Sequence, residues 1–161
     1  MTSYPGSHAM KCTILNDQLR HDYATAAGAD DRANRARDLL ARAMRVGNSV
    51  LLLQSLTEFS NVAIRKAGIA IEAVQRIVRS WCAVLPVQLA DESDLFTALE
   101  AVRAHRLAFW DAMLWASAQR AGVTQLLSED FQDGFALRDV TFINPFNREN
   151  NQLIEKLLPR S

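Results

Sequence analysis

The sequence has 161 residues, of which 49% are hydrophobic, so it is long enough to form one globular domain with a full core. Lysine and arginine (18) balance aspartate and glutamate (18), so the overall charge does not favour nucleic acid, and any basic surface must be local. Two distant cysteines, Cys12 and Cys82, exclude a disulfide framework and a zinc cluster, and no apolar run approaches membrane-spanning length. A reducing cytoplasm is the expected location.

Strands and helices are predicted to alternate along the chain, between an unstructured leader at 1–10 and a polar tail at 147–161. Whether the leader is native is open, and the tail could hold one short helix. The strands are predicted at 11–15, 49–53, 85–89, 124–127 and 140–143. The helices are predicted at 31–44, 54–67, 70–84 and 91–105, followed by a central helix that starts at Phe109 and ends before Gly122.

This alternation favours a single domain at 11–146 with a three-layer α/β/α architecture and a central parallel sheet. Pro86 places the third strand at an edge of the sheet, because proline cannot donate a hydrogen bond to a neighbouring strand. In such sheets, sites form beyond the carboxyl ends of the strands.

Four acidic residues are expected at that edge. Asp17 follows the first strand, Glu58 lies near the start of the helix after the second strand, Asp111 opens the central helix, and Asp130 follows the fourth strand. Converging carboxylates raise one another's pKa or bind a divalent cation. Magnesium suits such a set, because it prefers oxygen ligands and retains several waters, and it can promote phosphodiester hydrolysis.

Each acid also has a structural interpretation when it is taken alone. Asp111 could be a first-turn helix acid, Glu58 a solvated surface residue, and Asp130 a turn residue before Gly134. The apolar run of the central helix, in which Asp111 is the only charge, predicts a buried helix. Trp110 and Trp115 are expected in its core and not as platforms for stacked bases.

Three motifs carry a resemblance to a known family: FWDAMLWASAQRAG, LLSEDFQDG and VTFINPF, in this order. They resemble the C-terminal half of a PIN domain, most of all the ribonuclease toxin of bacterial VapBC-type toxin–antitoxin pairs, over 49–146. The resemblance implies a cytoplasmic endoribonuclease that uses Mg²⁺ or Mn²⁺ to cleave RNA. It also implies a homodimer, inhibited by an antitoxin segment that covers the acidic cleft.

The resemblance assigns the family's metal-binding acids to Glu58, Asp111 and Asp130. It makes Ser128 the accompanying hydroxyl, with Glu129 and Asp133 as auxiliaries. The first acid differs, because the family has aspartate, threonine and asparagine where this chain has Asp17 followed by Gln18 and Leu19.

Asn16 could align instead of Asp17, which would leave the cluster one charge short and favour a catalytically impaired PIN-like interaction module. A haloacid-type phosphatase would need an aspartate two residues after Asp17, where Leu19 stands.

Overall fold

The structure of the protein, a computed structural model, describes residues 11–14 and 31–160. The predictions for the leader, Asn16 and Asp17 lie outside these residues. The strands are β1 (Lys11–Ile14), β2 (Ser49–Leu52), β3 (Val87–Gln88), β4 (Val123–Leu127), β5 (Ala136–Leu137) and β6 (Val140–Ile143). The helices are α1 (Asp31–Val46), α2 (Leu53–Arg65), α3 (Ile71–Cys82), α4 (Glu92–His105), α5 (Phe109–Arg120) and α6 (Asn151–Leu157), with a 3₁₀ turn at Arg148–Asn150.

The strands form one sheet in the order β3-β2-β1-β4-β6-β5. Every neighbouring pair is parallel except β5 and β6. The prediction of a parallel sheet with the first, second and fourth strands inside it is therefore confirmed. The strand at Pro86 lies at an edge, as predicted, and the Pro86 carbonyl accepts a hydrogen bond from the Leu51 N–H at 2.9 Å.

Two hydrophobic clusters lie on opposite faces of the sheet. Leu51 of β2 belongs to the cluster that contains core residues of α1, α2, α3 and α6, whereas Val50 and Leu52 belong to the cluster built with α4 and α5. Successive residues of a strand point to opposite faces, so this split follows from the pleat of β2. The predicted three-layer α/β/α architecture is confirmed.

The hairpin formed by β5 and β6 was not predicted. β5 has only two residues and pairs antiparallel with β6. Arg138, which follows β5, has a φ of 51°, and this left-handed backbone lets the chain reverse direction. β5 could not be predicted because a two-residue strand is too short to produce a repeating hydrophobic pattern. The sheet is therefore parallel except for this last pair.

The segment expected as a polar tail contains α6, whose Ile154 and Leu157 are buried in the core together with Leu158. Arg42 of α1 anchors it, donating to Glu155 Oε1 at 2.9 Å and to the Leu158 carbonyl at 3.1 Å. Arg42 is buried although it is charged, because α6 covers it. Within the described ranges, no helix has the length and apolar character needed to cross a bilayer.

Candidate active site

Three of the predicted acids meet at the carboxyl edge of the sheet. Asp111 lies in the first turn of α5, Asp130 shortly after β4, and Glu58 on α2, which directly follows β2. The pKa of the half-buried Asp111 is raised, first by burial and then by the negative charges of Asp130 and Glu58. Asp130 and Glu58 therefore lie near enough to Asp111 for their charges to act on its carboxylate. Asp17 lies outside the described residues.

Ser128 shapes the loop that carries Asp130. Its buried side-chain oxygen accepts a hydrogen bond from the Asp130 N–H at 3.1 Å, while its own N–H donates to the Ile143 carbonyl at 2.9 Å. The hydroxyl thus fixes the turn immediately after β4 and binds that turn to β6. Ser128 accompanies the acidic residues by holding Asp130 at the sheet edge.

The two auxiliary acids have protein partners. Glu129 forms an ion pair with Arg32 of α1 at 2.7 Å, which connects the loop after β4 to the first turn of that helix. The Arg32 guanidinium also lies over the Phe146 ring, 5.2 Å from its centroid. Glu129 is therefore placed where it links α1 to the acidic edge.

Asp133 is held by a ring of donors. Its carboxylate accepts from the Asn144 N–H at 2.8 Å, from Asn147 Nδ2 at 2.7 Å and from Asn150 Nδ2 at 2.8 and 2.9 Å. Burial opposes ionisation here, but these hydrogen bonds outweigh it and lower the pKa of Asp133 below its ordinary value. We assign this carboxylate to the structure of the turn between β6 and α6.

Gln54 was not singled out by the sequence, although it bridges two parts of the site. Its Nε2 donates to Glu58 Oε1 at 3.0 Å and to the Trp110 carbonyl at 3.0 Å. The first contact joins residues four apart on α2, a spacing that the sequence already shows. The second contact, between α2 and the start of α5, depends on the tertiary fold. Gln54 therefore fixes the position of Glu58 relative to the turn that contains Asp111.

The prediction that both tryptophans of the central helix are buried is confirmed for Trp115, which is 1% exposed, and wrong for Trp110, which is 65% exposed. The first turn of α5 lies at the open edge of the sheet, and burial of the helix is continuous only from Leu114 to Ala118. The apolar helix α5 therefore has an exposed aromatic residue, Trp110, next to Asp111 in its first turn.

An ion pair between the buried Asp94 and the partly exposed Arg120 sets the position of α5 against α4. Asp94 accepts from Arg120 Nε at 2.8 Å, from the Ser117 hydroxyl at 3.0 Å and from the Asp91 N–H at 3.0 Å. Burial would raise the pKa of Asp94, but these donors lower it below the ordinary value. Asp94 lies in the first turn of α4, and its contacts align the helix that carries Asp111.

The donor set at the edge suits a hard divalent cation. Within residues 11–14 and 31–160, no three side chains of the His, Cys, Asp and Glu types are grouped closely enough to hold an ion by themselves. Magnesium needs only one or two direct carboxylate ligands and retains water in its other positions. Burial and then the charges of Asp130 and Glu58 raise the pKa of Asp111, and a bound cation would relieve the repulsion. The donors therefore fit such an ion through Asp111 and Asp130, with Glu58 nearby.

The fold is similar to that of VapC20 of Mycobacterium tuberculosis, a toxin described as cleaving the sarcin–ricin loop. The two structures superpose with a TM-score of 0.54 and 16% sequence identity, over 72% of this chain and 86% of that chain. No protein-family model matches the sequence, and neither does any curated protein. At this identity the similarity shows the fold, and it confirms the predicted PIN-like α/β architecture.

Proposed function

We propose that this PIN-like domain is a metal-dependent endoribonuclease that acts as the toxin of a toxin–antitoxin pair. The observation that carries the proposal is the carboxylate cluster: Asp111 lies at the carboxyl edge of the sheet, and its pKa is raised by burial and by Asp130 and Glu58. Carboxylates arranged in this way are suited to phosphodiester hydrolysis with Mg²⁺ or Mn²⁺. The similar solved structure belongs to a toxin that cleaves an RNA loop, which supports RNA as the substrate.

Each residue has a separate task in this mechanism. Asp111 and Asp130 would hold the cation, Asp17 would supply a further carboxylate, and Glu58 would accept a hydrogen bond from a water in the cleft. When bound, the cation lowers the pKa of water and neutralises the charge of the phosphate. Gln54 keeps the Glu58 carboxylate in place through its 3.0 Å hydrogen bond. Ser128 holds the turn of Asp130.

The acidic cleft also suits an inhibitor. A basic side chain placed between Asp111 and Asp130 would take the position of the cation and relieve the same repulsion. We therefore propose that the antitoxin inserts a cationic segment into this cleft and so excludes both metal and RNA.

A second copy of the chain fits the exposed face of α4. Leu95, Phe96 and Leu99 are 37%, 59% and 48% exposed and lie on one stripe of the helix. Glu92 lies on the same stripe towards the start of α4, and Arg103 lies on it towards the end. Two copies of α4 packed antiparallel about a twofold axis would bury the apolar centres and place Glu92 opposite Arg103 at both ends. We propose a homodimer through this stripe.

The test of the nuclease is cleavage of a panel of single-stranded and hairpin RNAs by the purified protein, with Mg²⁺, with Mn²⁺ and with chelator. Cleavage should require the metal and be lost in Asp111→Asn. Glu72→Gln is the matched control, because Glu72 is an exposed acid in the first turn of α3, outside the cluster. If the folded wild-type protein cleaves no RNA with either metal, the interaction-module alternative replaces the nuclease.

A further inference from the structure

Trp110 is the exposed tryptophan of this chain. Its side chain is 65% exposed, whereas Trp81 and Trp115 are 5% and 1% exposed, and the sequence contains three tryptophans. An indole is a large apolar group that usually lies at least partly inside a protein, so exposure on this scale needs a reason. Trp110 directly precedes Asp111, the acid with the raised pKa.

The surroundings of Trp110 hold its backbone firmly and leave its ring open. Gln54 donates to the Trp110 carbonyl at 3.0 Å, and the same amide holds Glu58. The ring contacts Phe109 edge to face, with centroids 5.2 Å apart and planes at 68°. Edge-to-face packing does not stack one ring on the other, so a face of the indole remains for another planar group. The aromatic side chain is thus tied to the acidic site and faces solvent.

We propose that Trp110 is a stacking platform for a base of the RNA substrate, next to the phosphate that is cleaved. This inference rests on the proposed function and adds the way in which the substrate is held. Exposed aromatic side chains bind unpaired bases by stacking, whatever the base. The substrate class is therefore single-stranded or loop RNA, because a base within a duplex has no free face.

Charge explains why the site needs such a platform. The chain has no net charge, and the cluster of Asp111, Asp130 and Glu58 repels a phosphate when no cation is bound. The cluster itself therefore cannot attract the RNA backbone electrostatically. Stacking on an aromatic ring supplies affinity that is independent of charge.

A protein partner on the same ring is the competing occupant. The dimer stripe on α4 shows what this chain offers to a second copy: aliphatic and aromatic side chains in a row, with opposite charges at the two ends. Trp110 lacks that arrangement, because it is followed directly by an acid of the site and its carbonyl is bound to the residue that holds Glu58. RNA bound at the neighbouring acidic site would place one of its bases, a planar group, at this position.

The first experiment uses the fluorescence of the full chain in an Asp111→Asn background, so that RNA is bound without being consumed. Because Trp81 and Trp115 are buried, the red-shifted, iodide-accessible emission comes from Trp110. A short single-stranded RNA of mixed sequence should quench this component and protect it from iodide, and the same RNA annealed to its complement should not. Trp110→Ala should remove the component.

The second experiment measures cleavage by Trp110→Ala, Trp110→Phe and the control Ile71→Ala, which removes an exposed apolar side chain at the start of α3. Trp110→Ala should raise KM about tenfold, the size expected for one stacked base, with a smaller change in kcat. Trp110→Phe should recover most of the loss and Ile71→Ala should leave KM unchanged. A set of RNAs, each lacking one base at a different position, locates the stacked base. The KM values of Trp110→Ala and the wild type should become equal when the missing base is the one beside the cleaved bond.

The outcomes separate the two proposals. If the wild-type protein cleaves RNA, but Trp110→Ala leaves KM unchanged and RNA does not quench the Trp110 emission of the Asp111→Asn protein, the stacking inference is overturned and the nuclease stands. A wild-type protein that never cleaves, but whose Trp110 emission is quenched by single-stranded RNA, overturns the nuclease and leaves the stacking intact. A Trp110→Ala variant that loses only its dimer in sedimentation assigns the ring to a protein contact and also overturns the inference.

Discussion

Replacing Asp111 with asparagine should make the metal-free protein more stable. The carboxylate of Asp111 is half-buried beside Asp130 and Glu58, and its pKa is raised, so its charged form is held in an unfavourable environment. Asparagine keeps the shape and removes the charge. Removing repulsion of this kind changes the free energy of unfolding by about 1 kcal/mol, a typical size for one site. For a chain of this length, that corresponds to about 3 °C in Tm.

If Asp111 only stabilises its helix, Asp111→Asn should instead make the protein less stable. A first-turn acid stabilises α5 through the helix dipole by about 0.3–1 kcal/mol, so its loss would lower Tm by about 1–3 °C. The raised pKa of Asp111 favours the first outcome, because a carboxylate stabilised mainly by the dipole would have a lowered pKa.

The pH dependence provides a second measurement of the same prediction. Since the folded pKa of Asp111 is raised, the folded state binds more protons than the unfolded state between the unfolded value, about 3.9, and the folded value. Stability from this group is therefore lost as pH rises through that window. The advantage of the variant should be complete above the window and should disappear below it, where Asp111 is protonated in both states.

Magnesium completes the test. An ion at ten times its Kd stabilises the wild type by about 1.4 kcal/mol through mass action, or about 4 °C in Tm. Asp111→Asn should lose most of this shift. Thermal melts of the two proteins with magnesium and with chelator decide the matter, with Glu72→Gln as the control that should behave as the wild type. A variant that melts below the wild type in chelator and still responds to magnesium would refute the reasoning.

Three further predictions concern the dimer face and two structural carboxylates. Phe96→Asp should convert the dimer to a monomer in sedimentation while the fold is kept; a variant that stays dimeric would exclude α4 as the interface. Asp94→Ala should lower stability by about 2 kcal/mol, because it removes a buried carboxylate that accepts hydrogen bonds from Arg120 and Ser117; a Tm loss of about 6 °C checks this, and a loss of under two degrees would contradict it. Asp133 has a lowered pKa, so its stabilisation is complete above pH about 4 and is lost as pH falls through the folded pKa. The stability gap between wild type and Asp133→Asn should narrow over that range in acid titrations, and a gap independent of pH would count against it.

Much of the fold could be predicted because hydrophobic patterns repeat along its elements. The strand at Val140–Ile143 was predicted exactly, and the proline at 86 identified the edge strand. Asp111 could be found because it is the only charge in the apolar run from Phe109 to Ala118. These signals are local in the sequence, and the parallel sheet then brings the ends of its strands together by geometry alone.

The features that were missed depend on tertiary contacts. The sequence does not show that the first turn of α5 lies beyond the packed layers, so Trp110 was expected inside. The burial of Arg42 could not be predicted, because the packing of α6 over α1 leaves no local signal. The role of Asp133 depends on three asparagine residues that a turn brings to one carboxylate. A pattern of acids identifies carboxylates, but their hydrogen-bond donors are known only from the fold.

The central place of β1 in the sheet has a consequence for the rate of folding. β1 pairs with β2 on one side and with β4 on the other, so the strand nearest the amino terminus is bonded to one from the second half of the chain. The entropy of closing that long loop is lost before the contacts between the strands form, and folds dominated by such distant pairings fold slowly. We therefore expect the sheet to nucleate from neighbouring elements, with the insertion of β1 limiting the rate. Since β4 leads directly to Asp130, the acidic edge is assembled only when this slow step is complete.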